Sequence, residues 1–400
     1  MASRAQGPLS GVTVIDLGQI YNGPYCTFLM AMAGADVIKV EPKGGENLRR
    51  RAKVGGAAVP FAMLNSNKSF VTLDLKTARG KELLLEMVRK ADVLIENFSQ
   101  GAMERLGLGY ETLKQHNPRL VYGSGSGYGR SGPMKDFPAM DIAVQAMSGL
   151  MSINGFADRP PVKVGPAVAD FAGGVHLYAG VVTALFERHS TGHGRLVEVS
   201  MMESVYPSLA SNLGLYYATE GKNSARTGNR HGGLAESPYN VYETSDGFIA
   251  IVAASDEQWT RLLGVIGRPE LAGDTRFSTL AARVARMDEV DAIVEAFTRP
   301  RTRDDAFDRL VGAGVTCAPV RDIGEVVQDE QMLGRGALEW TDHPLYGNMP
   351  LPRSALRFSD TPLPQLEPSG EVGRDNVAVY GRWLGLGDGA VAELQRTGVI

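Results

Sequence analysis

The segment GVTVIDLGQIYNGPYCTFLMAMAGADVIKVEP, residues 11–42, decides the fold of this 400-residue chain. An apolar run at 12–17 has the length and composition of a buried parallel strand. Pro24 suits the first turn of a helix whose apolar body is 25–33, and 35–41 is a second strand-like run. A strand, a helix and a strand in this order predict a βαβ unit.

The same alternation continues along the chain and predicts an α/β fold with a mostly parallel, doubly wound sheet. Further strands are predicted at 69–75, 93–96, 120–123 and 196–200, and helices at 80–90 and 171–189. From residue 238 the pattern changes to a hairpin, 239–244 with 248–253, followed by helices at 256–266 and 287–297. This second pattern predicts a smaller α+β domain.

The length of the chain favours two domains, because one core rarely grows to this size. We predict a large domain over 1–200, a linker over 201–225 and a small domain over 226–325. Residues 326–400 would then form a return linker and the C-terminal part of the large domain. Six prolines between Pro344 and Pro368 predict extended surface chain, and a final helix is expected at 375–384.

Composition argues against several classes of protein. A net charge of −4 gives no general attraction to nucleic acid. The absence of an apolar N-terminal segment or a run of 18 apolar residues predicts a chain that is neither exported nor membrane-bound. The two cysteines, Cys26 and Cys317, are too few for a disulfide framework and suit a reducing cytoplasm. Because the two cysteines lie far apart in the chain, a structural zinc site is not expected, and we predict no metal site.

The glycine-rich run GSGSGYGRSG, residues 123–132, follows a predicted strand and suggests a dinucleotide site. That fingerprint requires a helix to begin at the glycines. Here Pro133 closes the run, and no helical pattern begins inside it. We therefore interpret the run as a loop beside a site.

Ligands of open α/β sheets bind beyond the carboxyl ends of the strands, which is where GQIYNGP, residues 18–24, follows the first strand. Tyr21 and Asn22 would project there, directly before a helix N-terminus that favours anions. A plain strand-to-helix loop is the alternative. The basic group that follows is solvated surface unless a phosphorylated ligand lies nearby; its members are Arg49, Arg50, Arg51 and Lys53.

Asp170 ends an extended apolar segment and precedes a helix in VKVGPAVADFAGG. Aspartate is among the best helix N-caps, so a purely structural role is one interpretation. A second interpretation is a covalent nucleophile. The helix N-terminus would keep its carboxylate ionised, neighbouring N–H groups could bind an oxyanion, and Ala172, Gly173 and Gly174 would leave room above it.

Five segments in order resemble one family, the class III coenzyme A-transferases of the CaiB/BaiF type, which include formyl-CoA transferase. They are residues 11–42, MLNSNKSFVTLDLKTARG, ADVLIENFSQGAMERLGLGYETL, NPRLVYGSGSGYGRSGP and VGPAVADFAGGVHLYAGVVTALFER. The resemblance runs from about residue 9 to the C-terminus. It implies a Rossmann-like large domain built from both ends of the chain, a small domain, and two subunits interlocked as a homodimer.

The resemblance also implies the chemistry. Asp170 would be the nucleophile that forms an aspartyl anhydride and then an aspartyl-CoA thioester, with acyl-CoA and a small carboxylic acid as substrates and no permanently bound cofactor. Coenzyme A would be held by five residues that match the family's binding motifs. The five are Tyr21, Lys76, Asn97, Phe98 and Arg105.

Two other functions fit the same family resemblance. An acyl-CoA racemase or isomerase is one, but racemases carry a histidine before the aspartate of PAMDIAV, where this chain has Met140, which cannot exchange a proton. Asp256 falls near another acidic position of racemases, so it does not separate the two. A catalytically idle CoA-binding protein is the other. The loop HGGLAES, with Arg226 and Arg230, is the candidate for selecting the acceptor acid, whose identity the sequence leaves open.

Overall fold

The computed structural model describes residues 7–51, 58–222 and 226–400. The elements up to the fifth strand are β1 (Thr13–Asp16), α1 (Asn22–Met32), β2 (Asp36–Glu41), α2 (Asn47–Arg51), α3 (Ala58–Asn65), β3 (Ser69–Thr72), α4 (Ala78–Val88), β4 (Val93–Glu96), α5 (Ala102–Arg105), α6 (Tyr110–His116) and β5 (Val121–Ser126). They continue with α7 (Asp141–Met147), α8 (Leu150–Ile153), α9 (Val168–Thr191), β6 (Leu196–Ser200), α10 (Met201–Val205) and α11 (Ala210–Ala218).

The remaining elements are β7 (Tyr239–Glu243), β8 (Phe248–Val252), α12 (Asp256–Ile266), α13 (Leu280–Val284), α14 (Met287–Thr298), α15 (Arg303–Gly312), β9 (Thr316–Pro319), α16 (Ile323–Val326), α17 (Glu330–Gly334), β10 (Leu338–His343), β11 (Gly347–Pro352), α18 (Asn376–Leu384) and α19 (Asp388–Arg396). Two short 3₁₀ helices occur at Tyr206–Leu209 and Pro269–Gly273.

The chain divides into two compact units. The first comprises Met1–Val144, Pro166–Val205 and Val327–Ile400, and the second comprises Gln145–Gly165 and Tyr206–Val326. Residues 145–165 therefore belong to the second unit, although the sequence pattern places them in the large domain. The predicted linker at 201–225 is instead helical from Met201 to Ala218, because Met201, Val205, Leu209 and Leu215 bury their side chains.

The first unit is built on a six-stranded sheet in the order β3-β2-β1-β4-β5-β6, with every neighbouring pair parallel. The predicted parallel α/β sheet is confirmed, and its order is that of Rossmann sheets. Successive residues of β1 face opposite cores, since Val14 packs with α1 and α9 and Ile15 packs with α4 and α18. Both faces are covered, so the strands read as continuous apolar runs.

The C-terminal segment covers the edge strand β3 and so completes the first unit. The Phe70 N–H donates to Asp375 Oδ2 at 2.7 Å, and the Thr72 N–H donates to Asn376 Oδ1 at 2.9 Å. The Tyr380 hydroxyl donates to the Thr72 carbonyl at 2.7 Å. Side chains of the C-terminal segment thereby satisfy backbone groups that an edge strand leaves unpaired.

The second unit has an antiparallel sheet in the order β7-β8-β9, with α12, α14 and α15 contributing to its core. The predicted hairpin and both predicted helices are present there. The proline-rich stretch differs from its prediction, because β10 and β11 pair as an antiparallel hairpin within the first unit. A two-stranded ribbon has free edges, so Pro350 and Pro352 need donate no ladder hydrogen bond.

Among the described residues, only α9 is long and apolar enough to cross a membrane by length and composition. The core helix of a soluble protein has the same composition, and the buried face of α9 packs on β5 and β6. Its apolar character is therefore accounted for by the sheet that it covers.

Candidate active site

A pocket of about 640 Å³ lies beyond the carboxyl ends of β1, β4 and β5. Its position follows from the strand order. Strands are added to one side of β1 up to β3 and to the other side from β4 onward, so the loops after β1 and β4 lead to opposite sides and leave a crevice between them. The first turn of α9 brings Asp170 to the same wall. The pocket is lined by Gln19, Ile20, Asn22, Asn47, Asn97, Phe98, Ser99, Gln100, Arg105, Gly125, Ser126, Gly127, Tyr128, Lys135, Asp136, Phe137, Pro138, Ala139, Met140, Asp170 and Met201.

A buried ionic cluster anchors the loop after β1. Asp16 Oδ1 accepts the Gly18 N–H at 2.8 Å, and Lys39 Nζ donates to the Gly18 carbonyl at 2.8 Å. Lys68 Nζ lies 3.0 Å from Asp16 Oδ2, and all three charged side chains are fully buried. Burial opposes ionisation of Asp16, but the charges of Lys39 and Lys68 outweigh it and lower its pKa. Both backbone polar groups of Gly18 are thus held by hydrogen bonds to buried charged side chains.

Asn97 fixes the next residue of the same loop. Its Oδ1 accepts the Gln19 N–H at 2.7 Å, and its Nδ2 donates to the Gln19 carbonyl at 2.9 Å. Ile20 then adopts a φ of 63°, a left-handed conformation that costs a β-branched residue about 1–3 kcal/mol. The clamp on Gln19 holds this strained conformation at the edge of the pocket.

Asp170 is the third residue of α9, and Ala167 is the N-cap. The expectation that Asp170 caps this helix is wrong, because the helix begins two residues earlier. Its cap comes from another element: Asp141 Oδ1 accepts the N–H groups of Ala169 at 2.8 Å and Asp170 at 3.5 Å. The Asp170 carboxylate itself accepts no hydrogen bond from any residue that the structure describes.

The first four N–H groups of α9 are all occupied. Besides the two bonded to Asp141, Val168 donates to the Pro166 carbonyl at 3.0 Å and Phe171 to the Ala167 carbonyl at 3.2 Å. The expected oxyanion site at this helix N-terminus is therefore absent in this arrangement of the described residues.

The sequence suggested that the glycines after Asp170 leave room for a substrate, but this expectation is wrong. They allow two helices to pack closely instead. A Cβ on Gly173 would lie 2.3 Å from Asn22 Nδ2, and a Cβ on Gly174 would lie 2.8 Å from the Asn22 carbonyl oxygen. Asn22 Nδ2 donates to the Asp170 carbonyl at 3.4 Å. The close approach of α1 and α9 therefore depends on these glycines and places the nucleophile candidate against the loop after β1.

The environment of Asp170 favours its protonated form. Its side chain is buried, and burial together with the negative charge of Asp141 raises its pKa to about 7. Tyr21 stacks on Phe171 with 5.8 Å between ring centroids. Burial, followed by the charge of Asp170, raises the pKa of the Tyr21 hydroxyl. Asp170 is thus a carboxyl group that changes charge near neutral pH.

The pocket brings together four of the six predicted site residues, namely Asn97, Phe98, Arg105 and Asp170. Tyr21 lies outside the lining, as the N-cap of α1, with its ring on Phe171. Lys76 is exposed in the turn after β3, where its N–H donates to Asp74 Oδ1 at 3.0 Å, and it also lies outside the lining.

The predicted loop 18–24 contributes Gln19, Ile20 and Asn22 to the lining, whereas Asn47 and the segment 135–140 were not predicted as ligand contacts. The segment 135–140 follows β5, so the rule about carboxyl ends of strands could have indicated it. In the second unit, Arg230 pairs with Asp288 and Asp291 at 2.6 Å, and Asp256 pairs with Arg283 at 2.9 Å. Of the predicted basic group, Lys53 lies outside the described residues.

Comparison with known proteins identifies the family. CoA-transferase family III matches residues 9–376. This chain belongs to CoA-transferase family III. The transferase is 40% identical over 339 residues to acetyl-CoA:oxalate CoA-transferase of Acetobacter aceti, covering 84% of this chain and 86% of that one. It is 35% identical over 384 residues to succinate–glutarate CoA-transferase of Agrobacterium fabrum, covering 93% and 94%.

The fold of the transferase is also that of a solved relative. A CaiB/BaiF family protein from Brucella suis superposes with a TM-score of 0.82 at 33% identity, covering 94% of this chain and 100% of that chain. The sequence-based assignment to the class III CoA-transferases, and to an enzyme of that class, is confirmed.

Proposed function

We propose that the transferase moves coenzyme A from an acyl-CoA to a free carboxylic acid with Asp170 as the covalent nucleophile. The observation that supports this role is a buried carboxylate on the pocket wall whose oxygens accept no hydrogen bond from a described residue. A structural carboxylate in that position would be paired. An unpaired one is held ready for a group that enters the pocket.

The reaction proceeds in four steps that need no outside energy. Asp170 attacks the thioester carbonyl, which breaks the C–S bond and leaves an acyl-aspartyl anhydride and CoA thiolate. The thiolate attacks the aspartyl carbonyl and expels the donor acid, leaving an aspartyl-CoA thioester. The acceptor carboxylate attacks the aspartyl carbonyl and displaces the thiolate, which forms a second anhydride. The thiolate then attacks the acceptor carbonyl of that anhydride and expels the Asp170 carboxylate. Overall, one CoA thioester is consumed and another is formed.

Coenzyme A is the substrate that would extend along the pocket from Asp170. Arg105 would meet a phosphate and Phe98 the adenine. The Asn97 side chain accepts one hydrogen bond from Gln19 and donates one to it. It would contact the ligand through the second N–H of its amide group. Tyr21 and Lys76, which lie outside the lining, would reach the coenzyme from the start of α1 and the turn after β3. We further propose a cytoplasmic enzyme that acts as an interlocked homodimer.

The acids are proposed by class. The two relatives named above act on oxalate and on succinate and glutarate, all small carboxylic acids. We propose acceptors of that class for this enzyme. A panel of acyl-CoA donors and carboxylate acceptors, read by mass spectrometry, would identify the pair.

Asp170→Ala tests the assignment. We expect it to abolish transfer while retaining CoA binding, with Asp158→Ala as a matched control because the Asp158 side chain is largely exposed. Hydroxylamine should trap an acyl-CoA-dependent adduct on residue 170 of the unmodified enzyme, which mass spectrometry would locate. Transfer by Asp170→Ala at the unmodified rate would refute the proposal. Solvent deuterium at Cα of a branched acyl-CoA, without transfer, would instead indicate a racemase.

A further inference from the structure

Asp141 contacts the helix that carries the nucleophile and lies outside the pocket lining. It is the first residue of α7, and Val144 on the same helix is fully buried among Ala169 and Met201. This packing fixes α7 beside the start of α9. It brings the Asp141 carboxylate to the N–H groups of Ala169 and Asp170.

The N-terminus of a helix normally stabilises a nearby anion through its free N–H groups and its dipole. Asp141 removes both effects from Asp170. It takes two N–H groups of the first turn, and its own negative charge offsets the positive end of the helix dipole. The Asp170 carboxylate therefore receives little stabilisation as an anion from the helix on which it stands.

We propose that Asp141 is a positioning residue that keeps the Asp170 carboxylate reactive, by binding the helix N–H groups and by placing a negative charge beside it. This inference rests on the proposed role of Asp170. Among nucleophiles of one type, reactivity falls as basicity falls, so a carboxylate bound by helix N–H groups would attack a thioester more slowly. With Asp141 in place, a smaller fraction of Asp170 is ionised, but the ionised carboxylate is more basic and therefore a better nucleophile.

Other charged and titratable groups surround the start of α9, and their influence on Asp170 must be distinguished from that of Asp141. Asp141 is the one described charge whose field raises the pKa of Asp170, and burial supplies the rest. The remaining groups on the packed elements and along the pocket are Tyr21 and Tyr25 of the α1 segment, His176 of α9, Glu203 of α10, and Arg105, Lys135 and Asp136.

The test replaces Asp141 with asparagine, which keeps an acceptor for the N–H groups and removes the charge. The titration of Asp170 would be followed by ¹³C NMR of protein labelled at the aspartate carboxyl carbon, with Asp170→Ala to assign its signal. We expect the midpoint to move to lower pH by roughly one unit, as a like charge would account for. The acid limb of kcat/KM should move with it, and kcat above the limb should fall several-fold.

A merely structural Asp141 would lower kcat in the variant and leave the midpoint in place, which would overturn the inference. Asp158→Asn is the matched control, since it removes one largely exposed negative charge outside the pocket lining. An equal shift in that variant would also overturn it. If Asp141→Asn is unstable, Asp141→Ser keeps a hydroxyl acceptor, and the same shift is expected. Absence of any adduct on residue 170 in the unmodified enzyme would refute the proposed function instead.

Discussion

Asp170 must be ionised to attack a thioester, yet burial and Asp141 oppose its ionisation. Because its pKa is raised to about 7, the carboxyl is protonated below that pH and inactive as a nucleophile. We therefore expect kcat/KM for transfer to fall as pH decreases through about 7. An ordinary aspartate, with a pKa of about 3.9, would place the fall some three units lower. A pH profile with stable substrates distinguishes the two.

Lys68 stabilises the loop after β1 through its ion pair with Asp16, which binds the Gly18 N–H. Removing one partner of a buried ion pair costs about 3–5 kcal/mol, because the remaining charge is left without compensation. Lys68→Met should therefore lower the free energy of unfolding by about that amount, although Lys39 still lies 3.9 Å from Asp16 Oδ2. Lys114→Met, at an exposed site, should stay within about 0.5 kcal/mol. Chemical denaturation measures both, and equal losses would contradict the role of Lys68.

At the scale of single residues, the sequence predicted which side chains belong to the site more reliably than it predicted the residues they contact. Asn97, Phe98, Arg105 and Asp170 were predicted for the site and line one pocket. The capping of α9 by Asp141 was not predicted, because it requires α7 to pack beside α9, and nothing local to PAMDIAV specifies that contact. A helix boundary misplaced by three residues also made Asp170 look like a cap.

The contact between α1 and α9 is the element-scale feature that positions the nucleophile. Gly173→Ala would place a Cβ 2.3 Å from Asn22 Nδ2 and 3.0 Å from Met201 Cγ. We expect α9 to shift and transfer to fall by about 10²-fold, a loss typical of a misplaced catalytic group. Gly389→Ala is the control, because a Cβ there meets nothing within 4 Å. Unchanged kcat in Gly173→Ala would show that the helices separate without moving Asp170.

Several element bounds were predictable from the local pattern of apolar residues. The strands at 93–96 and 196–200 were predicted at the bounds that the structure has, and the helix at 256–266 likewise. The hairpin β10–β11 was missed because its prolines argue against a strand, yet its pairing leaves them on free edges. Helix α19 lacks a long apolar run, and Val391 and Leu394 are the two residues that it buries.

The whole first unit depends on chain segments about 300 residues apart. Asn376→Ala would leave the buried N–H of Thr72 without its acceptor, which costs about 1–3 kcal/mol. We expect a lower free energy of unfolding with kcat unchanged, since the edge strand lies across the sheet from β5. Asn348→Ala, at an exposed position of β11, should have little effect. Equal stability of the two variants, compared in denaturant, would contradict this account.

The alternation of strands and helices predicted the sheet, but it could not predict that residues 145–165 join the second unit. That assignment depends on contacts made after the chain has folded.

The two walls of the pocket differ in how firmly they are held. The stretch around Gln19 is bonded to buried charged side chains and to the oxygen and nitrogen of the Asn97 amide. Phe137 and Met140, which also line the pocket, are about half exposed. Mutations in the first wall would disturb the backbone itself, whereas those in the second change only shape and polarity. Laboratory evolution toward a new acid should therefore accumulate its substitutions at 135–140 and leave 16–20 intact.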